Sequence, residues 1–139
     1  MIFYMFIIYT DGAYSSKRNQ GGWAFLILHN DTVQISKFGG VKCNATNNRM
    51  ELLAVINAVK LINKNKIIDP VTVYSDSQYV LKTISKEYTI KCNDDLWEEF
   101  FSLDISNITF QYVKAHYTNK YNNICDQLAV LGTNLILNE

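Results

Sequence analysis

The tightest restriction on the fold of this chain is the apolar run Ile2–Thr10, which is followed without a break by the polar residues Asp11 and Gly12. The run is rich in Ile, Phe and Tyr, and its continuous hydrophobicity is typical of a central strand buried on both faces. It lacks the basic start and the small-residue cleavage site of a signal peptide, and it is too short to cross a bilayer. We therefore expect the chain to fold around this strand, with polar residues at its carboxyl end.

The rest of the hydrophobic pattern predicts a mixed α/β domain. A polar loop, Asp11–Gln20, leads to two more strands, Gly22–Leu28 and Val33–Gly39, which the turn-like His29-Asn30-Asp31 joins. The pattern then predicts, in order, a helix at Asn48–Asn63, a strand at Val71–Ser75, helices at Ser77–Ile84 and Asp94–Leu103, a strand at Ile108–Lys114 and a final helix at Tyr121–Leu137. Because helices separate the later strands, those strands need crossover connections and parallel pairing. The expected fold class is α/β: a mixed five-stranded sheet, with three antiparallel strands and then parallel strands, flanked by helices on both faces.

Length, charge and cysteine content narrow the class of protein further. The chain has 139 residues without an evident linker or repeat, so we expect a single domain over residues 1–139. The 13 Lys and Arg residues balance the 13 Asp and Glu residues, which argues against binding to nucleic acid through bulk positive charge. Cys43, Cys92 and Cys125 are odd in number and far apart, a pattern that indicates neither a zinc site nor a disulfide framework and fits a reducing compartment.

Four acidic residues fall where a sheet of this kind would place a site. Asp11 is expected at or just past the end of the first strand, and Asp76 ends the strand Val71–Ser75; Glu51 and Asp126 lie early on the first and last helices. Ligands collect at the carboxyl ends of adjacent strands, and clustered carboxylates need a cation, for which hard oxygen ligands favour Mg²⁺ or Mn²⁺. Each acid taken singly also fits a turn residue, a helix cap or a solvated charge, and on the residue pattern alone both interpretations remain open.

Several short segments decide between them. They are Tyr9-Thr10-Asp11-Gly12-Ala13, Gly21-Gly22-Trp23-Ala24, Thr46-Asn47-Asn48-Arg49-Met50-Glu51-Leu52, Tyr74-Ser75-Asp76-Ser77-Gln78-Tyr79-Val80, Asp95-Leu96-Trp97, Val113-Lys114-Ala115-His116 and Asn122–Ala129. In this order and spacing they resemble the motifs of the type 1 ribonuclease H family, over almost the entire chain. The resemblance implies a ribonuclease H-like fold and a single catalytic domain.

The resemblance also implies an activity, which is endonucleolytic hydrolysis of the RNA strand of RNA–DNA hybrids by metal-ion catalysis, leaving 5′-phosphate and 3′-hydroxyl ends. Asp11, Glu51, Asp76 and Asp126 would be the catalytic, metal-binding carboxylates. The cofactor would be Mg²⁺, with Mn²⁺ as a substitute and two ions bound when the substrate is present. His116 would assist proton transfer or product release.

The substrate contacts implied by the resemblance come from six further residues. Asn48 and Gln78 match residues that form hydrogen bonds in the minor groove, and Thr46 and Asn47 match residues that hold a phosphate of the DNA strand. Either Thr46 or Asn47 also fits the N-cap of the first long helix. Gly12 and Ala13 are small enough to let the backbone approach the RNA strand closely.

The chain departs from the family pattern in three places. The loop Ser15–Gln20 carries Lys17 and Arg18, for which phosphate contacts and ordinary solvated charges are both open interpretations. Tyr117-Thr118-Asn119 follows His116 in place of more usual small and His residues, which weakens the catalytic assignment of His116.

The third departure is the short segment Ser85–Asn93, which leaves no room for the basic helical protrusion of many bacterial members. Only Lys82, Lys86 and Lys91 offer positive charge nearby. Because each lost phosphate contact weakens binding, we expect a compact form with weak affinity as an isolated domain. It would work at high metal and low salt, or be tethered to a partner such as a polymerase.

Three alternatives remain from the sequence. They are a DNA-junction resolvase of the wider superfamily, a catalytically inactive nucleic-acid-binding module, and a domain cut from a reverse transcriptase. The presence of all four acids argues against an inactive copy. The initiating Met1 and the end at Glu139 fit a stand-alone chain. We also expect a monomer that binds no membrane and is not secreted. We expect it in the cytoplasm, or in the nucleus or replication compartment of a host if it is viral.

Overall fold

The computed structural model describes residues 5–114 and 119–137, which form one five-stranded sheet with helices packed on it. The elements are β1 (Phe6–Ser15), β2 (Gln20–His29), β3 (Thr32–Val41), α1 (Asn47–Lys64), β4 (Val71–Ser75), α2 (Gln78–Ile84), α3 (Asp94–Phe101), β5 (Ile108–Tyr112) and α4 (Lys120–Gly132). The strand order is β3-β2-β1-β4-β5, with antiparallel pairing from β1 to β3 and parallel pairing from β1 through β4 to β5. The predicted element order and mixed sheet are therefore confirmed.

The predicted loop Asp11–Gln20 is wrong over most of its length. β1 continues to Ser15 and β2 begins at Gln20, with Asp11 paired to Ala24 and Ser15 paired to Gln20. Polar composition suggested a loop, but β2 offers Gly21 and Gly22 as neighbours, so the antiparallel ladder continues past the apolar residues. Only residues 16–19 form the turn.

The turn between β2 and β3 lies where the sequence predicts it. Asn30 and Asp31 both have positive φ, 51° and 66°, which Asn and Asp tolerate better than most residues. Two residues in this conformation match the right-handed twist of the strands that they join. β2 and β3 are slightly longer than predicted, because the hairpin is paired up to the turn.

Alternation along the central strands places helices on both faces of the sheet. Ile8, Phe25 and Val73 belong to a core that includes Ala58 and Ile62 of α1. The side chains that alternate with these point to the other face of the sheet, which α4 covers. On that face Tyr9, Ala24, Leu26 and Leu28 pack with Cys125 and Ala129. A third cluster lies between α1, α2 and α3, around Trp97 and Phe100.

The ends of the helices differ from the prediction mainly at α4, which ends at Gly132 and does not reach Leu137. Beyond it the carbonyl oxygens accept hydrogen bonds from side chains of the β1–β2 hairpin. Gln20 Nε2 donates to Gly132 O and Leu135 O, both at 2.9 Å, and Arg18 Nε donates to Thr133 O at 3.0 Å. The apolar periodicity up to Leu137 suggested a longer helix, and these tertiary contacts end it.

The connection between α2 and α3 is short, as predicted. Residues 85–93 carry no helix, so the compact form without a helical protrusion is confirmed. Across residues 5–114 and 119–137, the structure contains no helix that is both long enough and apolar enough to span a membrane.

Candidate active site

The four predicted acids meet at one end of the central strands. The parallel pairing of β1 with β4 ends at Tyr9 and Tyr74, and Asp11 and Asp76 each lie two positions beyond these residues. Glu51 lies in the early turns of α1, and Asp126 lies on α4. The prediction that Asp11 follows the end of its strand is wrong for the hairpin, but it holds for the parallel pairing that positions Asp11 beside Asp76.

These acids line a cavity of about 490 Å³. Its wall consists of Asp11, Gly12, Ala13, Tyr14, Asn47, Asn48, Glu51, Asp76, Ser77, Gln78, Tyr79 and Asp126. Five of the six residues predicted to contact a substrate are in this wall. Thr46 is not, and its hydroxyl instead caps α1 by accepting a hydrogen bond of 3.1 Å from the N–H of Arg49.

Gly12 joins β1 to α1 at the centre of the site. Its N–H donates to Asp11 Oδ1 at 2.9 Å and to Glu51 Oε1 at 2.8 Å. A Cβ on Gly12 would lie 2.3 Å from the backbone nitrogen of Glu51, a distance that real Cβ atoms essentially never show. Position 12 therefore requires glycine because β1 and α1 approach closely here. The sequence predicted a different reason, which was close approach of the backbone to RNA.

The donor set of Asp11, Glu51 and Asp76 suits a divalent cation. One oxygen of each carboxylate lies within 4.8 Å of the others, and all are hard ligands of the kind that Mg²⁺ and Mn²⁺ prefer. Glu51 is 5% exposed, and its Oε2 atom has no hydrogen-bond partner among residues 5–114 and 119–137. A buried carboxylate oxygen without a partner is costly, and a cation would satisfy it.

Electrostatics in the metal-free protein point the same way. Burial raises the pKa of Asp11 to about 7, with the neighbouring Glu51 carboxyl opposing and the charge of Asp76 adding to the effect. Burial and then the neighbouring Asp11 carboxyl raise the pKa of Glu51 well above its usual value. Without a cation these carboxyl groups therefore hold protons at a pH where ordinary carboxylates are ionised.

Asp126 lies at the rim of this group. It is partly exposed and lines the cavity with Asp11, but it is outside the set of three whose oxygens lie within 4.8 Å of one another. Its neighbour Cys125 is buried, and its thiol donates to Ala24 O at 3.3 Å. Burial, together with the charges of the four acids, raises the pKa of this thiol well above its usual value, so Cys125 is an inert packing residue.

A network that the sequence did not predict holds α1 against α3 beside the cavity. Arg49 forms a two-pronged ion pair with Asp95, with nitrogen–oxygen distances of 2.9 and 2.8 Å, and also donates to Asn93 Oδ1 at 3.2 Å. The Tyr79 hydroxyl accepts from Asn93 Nδ2 and from Trp97 Nε1, both at 2.9 Å. The signal was available, since Arg49 and Asp95 carry opposite charges in two of the motif segments.

The structure adds a structural role for one of the two basic loop residues. Arg18 is exposed, and it donates hydrogen bonds to the carbonyl oxygens of Thr133 and Asn134. Lys17 is exposed. His116 lies outside the described residues. Tyr117 and Thr118, which follow it in place of the usual family residues, also lie outside them.

The lysines near the α2–α3 connection also differ from one another. Lys82 Nζ lies 5.5 Å from the centre of the Tyr88 ring, and Lys86 Nζ lies 6.0 Å from that of Phe101. Lys91 is exposed and lines a second cavity with Asn48 and Tyr79. Because Asn48 lines both cavities, Lys91 is the lysine of the three whose position adjoins the acidic site.

Sequence comparisons identify relatives over nearly the full length. The family model described as RNase H matches residues 4–134. A ribonuclease H of Caldicellulosiruptor saccharolyticus is 36% identical over an alignment that covers 88% of this chain and 92% of the relative. A ribonuclease H of Treponema denticola is 38% identical over an alignment that covers 88% of this chain and 93% of the relative.

Solved structures share the fold at lower identity. The N-terminal RNase H domain of a Mycobacterium tuberculosis protein superposes with a TM-score of 0.79 at 22% identity, over 94% of each chain. LC11-RNase H1, solved in complex with an RNA/DNA hybrid, superposes with a TM-score of 0.76 at 21% identity, over 93% of this chain and 96% of that one. The predicted ribonuclease H-like fold is thereby confirmed.

Proposed function

The chain belongs to the ribonuclease H family, and we propose that it cleaves the RNA strand of RNA–DNA hybrids as a single catalytic domain. Because its relatives are ribonucleases H, the chain is a ribonuclease H enzyme. The observation that carries the proposal is the cluster of Asp11, Glu51 and Asp76, whose oxygens lie within 4.8 Å of one another where the parallel strands end. All three residues lie in segments that resemble the family motifs.

Asp11, Glu51, Asp76 and Asp126 would hold Mg²⁺, with Mn²⁺ as a substitute and two ions when substrate is bound. Such ions supply an activated water for attack on the phosphate and neutralise the charge that develops on its oxygens. The chain's own contribution is to fix the ligands before any ion arrives. Gly12 N–H orients one oxygen each of Asp11 and Glu51, which leaves Glu51 Oε2 free to bind.

The substrate contacts follow from the wall of the cavity. Asn48 and Gln78 present amide groups that can donate to and accept from base edges and the 2′-hydroxyl in the minor groove. Asn47 would hold a phosphate of the DNA strand, and Thr46 would assist from the cap of α1. Ala13 lines the cavity and would lie along the RNA strand with Gly12. His116 would assist proton transfer or product release.

Affinity is expected to be weak for the isolated chain. The net charge is zero, two of the three lysines near the α2–α3 connection lie beside aromatic rings, and no helical protrusion lies within residues 85–93. We propose that the enzyme acts as a monomer at high metal and low salt, or is held near its substrate by a partner such as a polymerase.

The test is cleavage of an end-labelled RNA–DNA hybrid with Mg²⁺, with Mn²⁺ and with a chelator. Asp76→Asn removes one cluster charge, and Asp31→Asn is the matched control, because Asp31 is an exposed acid in the β2–β3 turn and Asn tolerates its positive φ of 66°. We expect metal-dependent cutting of only the RNA strand, retained in Asp31→Asn and lost in Asp76→Asn. The cut ends should carry 5′-phosphate and 3′-hydroxyl groups.

Duplex DNA, duplex RNA, single-stranded RNA and a four-way DNA junction run in parallel. Cutting of the junction in preference to the hybrid would replace the proposal with a resolvase. Binding of the hybrid without cutting, in either metal at low salt, would indicate an inactive binding module.

A further inference from the structure

Tyr14 is an aromatic side chain to which the proposed catalysis assigns no role. It lies on β1 three residues after Asp11, is 37% exposed, and lines the acidic cavity together with Asn47 and Asn48. Side chains alternate along a strand, so Tyr14 lies on the same face of the sheet as Gly12, which is the face that α1 covers. A large ring half-exposed in a mostly polar cavity offers a surface to whatever enters the cavity.

The Tyr14 hydroxyl is fixed in direction by the hairpin turn. It donates a hydrogen bond of 2.8 Å to Asn19 Oδ1. Asn19 lies in the turn between β1 and β2 with a φ of 48°, and an amide oxygen can only accept. The bond therefore uses the hydrogen of the phenol, and the phenol oxygen has only acceptor capacity left for a ligand.

The position of Tyr14 on β1 places this residue close to the bond that would be cut. A strand rises about 3.3 Å per residue, so the Cα atoms of Tyr14 and Asp11 are separated by roughly 10 Å. A nucleic-acid strand advances about 3.4 Å per base step, so Tyr14 is within about three nucleotides of the phosphate that the acids bind.

We propose that Tyr14 is a specificity residue, whose phenol oxygen accepts a hydrogen bond from one ribose 2′-hydroxyl of the RNA strand close to the cut. Deoxyribose lacks this donor, so the contact separates RNA from DNA at one nucleotide. The inference rests on the proposed function, because it requires the RNA strand to lie in this cavity.

The bond between Tyr14 and Asn19 also ties the two ends of the hairpin turn together, and that structural role needs to be separated from recognition. Tyr14→Phe removes both the tie and the acceptor. Asn19→Gly removes the tie but keeps the phenol oxygen, and glycine adopts the positive φ without strain. Tyr112→Phe is the matched control, because Tyr112 is exposed on the edge strand β5 and does not line the cavity.

The experiment measures kcat/KM on an all-ribose hybrid and on hybrids with a single 2′-deoxy or 2′-fluoro nucleotide, stepped across about three positions on each side of one cut. A fluorine cannot donate a hydrogen bond, so both substitutions should act alike. We expect the wild-type protein to lose about 3- to 10-fold at the position that contacts Tyr14, the effect of one neutral hydrogen bond, beside losses at the positions that Asn48 and Gln78 contact. Tyr14→Phe should cut the all-ribose hybrid slower by a similar factor and show no loss at that position.

The controls decide between recognition and structure. Asn19→Gly and Tyr112→Phe should keep the positional loss of the wild-type protein. The inference is overturned if Tyr14→Phe keeps that loss, if the wild-type protein shows none, or if Asn19→Gly abolishes it as Tyr14→Phe does. Failure of the proposed function looks different, because the wild-type protein would then cut no RNA–DNA hybrid at all.

Discussion

Gly12 and Glu51 are in direct contact through backbone and side chain. The N–H of Gly12 donates to Glu51 Oε1 at 2.8 Å, and the Gly12 Cα approaches the first turns of α1 so closely that a Cβ would lie 2.3 Å from two backbone atoms, Glu51 N and Met50 C. The position of a predicted metal ligand on α1 is thus set by a strand that is distant in sequence.

Gly12→Ala should therefore lower both stability and activity. The added methyl group meets backbone and cannot be relieved by a side-chain rotation, so α1 must shift from β1. We expect the free energy of unfolding to fall by about 1–3 kcal/mol, in the range found for overpacked cores, and hybrid cleavage to fall with it. Urea denaturation measures the first effect. Ala13→Gly is the control, expected to cost no more than about 1 kcal/mol; an equal loss in both variants would contradict the account.

Metal-free protein should become less stable as pH rises, and Asn at position 11 should weaken this dependence. The pKa of Asp11 is raised to about 7 in the folded state, mainly by burial, so its contribution is fully present below the unfolded-state pKa and is lost as pH rises through about 7. Asp11→Asn removes this titration and can still accept from Gly12 N–H.

The measurement is the melting temperature in chelator across this pH range. We expect the Asp11→Asn curve to be flatter, with the variant more stable than the wild-type protein by at least about 1 kcal/mol above the folded-state pKa. Added Mg²⁺ or Mn²⁺ should reverse the order by stabilising the wild-type protein alone. A wild-type stability that rises with pH in chelator would refute this prediction.

The ion pair between Arg49 and Asp95 should be lost in acid. The hydrogen bonds that Asp95 accepts from Arg49 hold the pKa of Asp95 at about 2. The contribution of Asp95 to stability is therefore present above its usual pKa and is lost as pH drops through about 2. Asp95→Asn should therefore lower the melting temperature at neutral pH and have less effect in strong acid. Arg49→Lys should also destabilise, because Lys cannot form the two-pronged pair. Additive effects in the double variant would show that the two residues are not coupled.

Removing the charge of Lys91 should weaken binding of an RNA–DNA hybrid uniformly across sequences. Lys91 adjoins the acidic cavity through Asn48, and loss of one phosphate contact reduces the slope of log binding constant against log salt by about 0.9. Lys60→Ala, an exposed lysine on α1 that does not line either of these cavities, is the control and should leave the slope unchanged. The slope is measured by fluorescence anisotropy in Ca²⁺, and an unchanged slope in Lys91→Ala would place the phosphates elsewhere.

Local patterns predicted most of the architecture because each element carries its own period. Local patterns misled only where a tertiary partner was involved. The residues after Asp11 looked like a loop until β2 supplied a ladder partner, and α4 looked longer until Gln20 and Arg18 bound the carbonyl oxygens at its end. Neither interaction is visible in the segment that it changes.

The site shows the same contrast between what a local segment predicts and what depends on contacts between distant segments. Motif resemblance named all four acids, and the structure brings Asp11, Glu51 and Asp76 together with Asp126 at the rim. The reason for Gly12 and the network around Arg49 depend on contacts between distant segments, so no reading of either segment alone could have found them. Thr46 shows the opposite case, since its role as helix cap is local and was expected.

The packing of α4 has a consequence for the order in which the protein is made. Tyr9, Ala24, Leu26 and Leu28 of the first hairpin are covered by Cys125 and Ala129, so the ribosome must synthesise the chain through α4 before that face of the hairpin is shielded. Until then an apolar surface is open to other nascent chains, and Asp126 is not yet in place beside the other three acids. The four acids of the site are therefore together only after α4 has emerged from the ribosome.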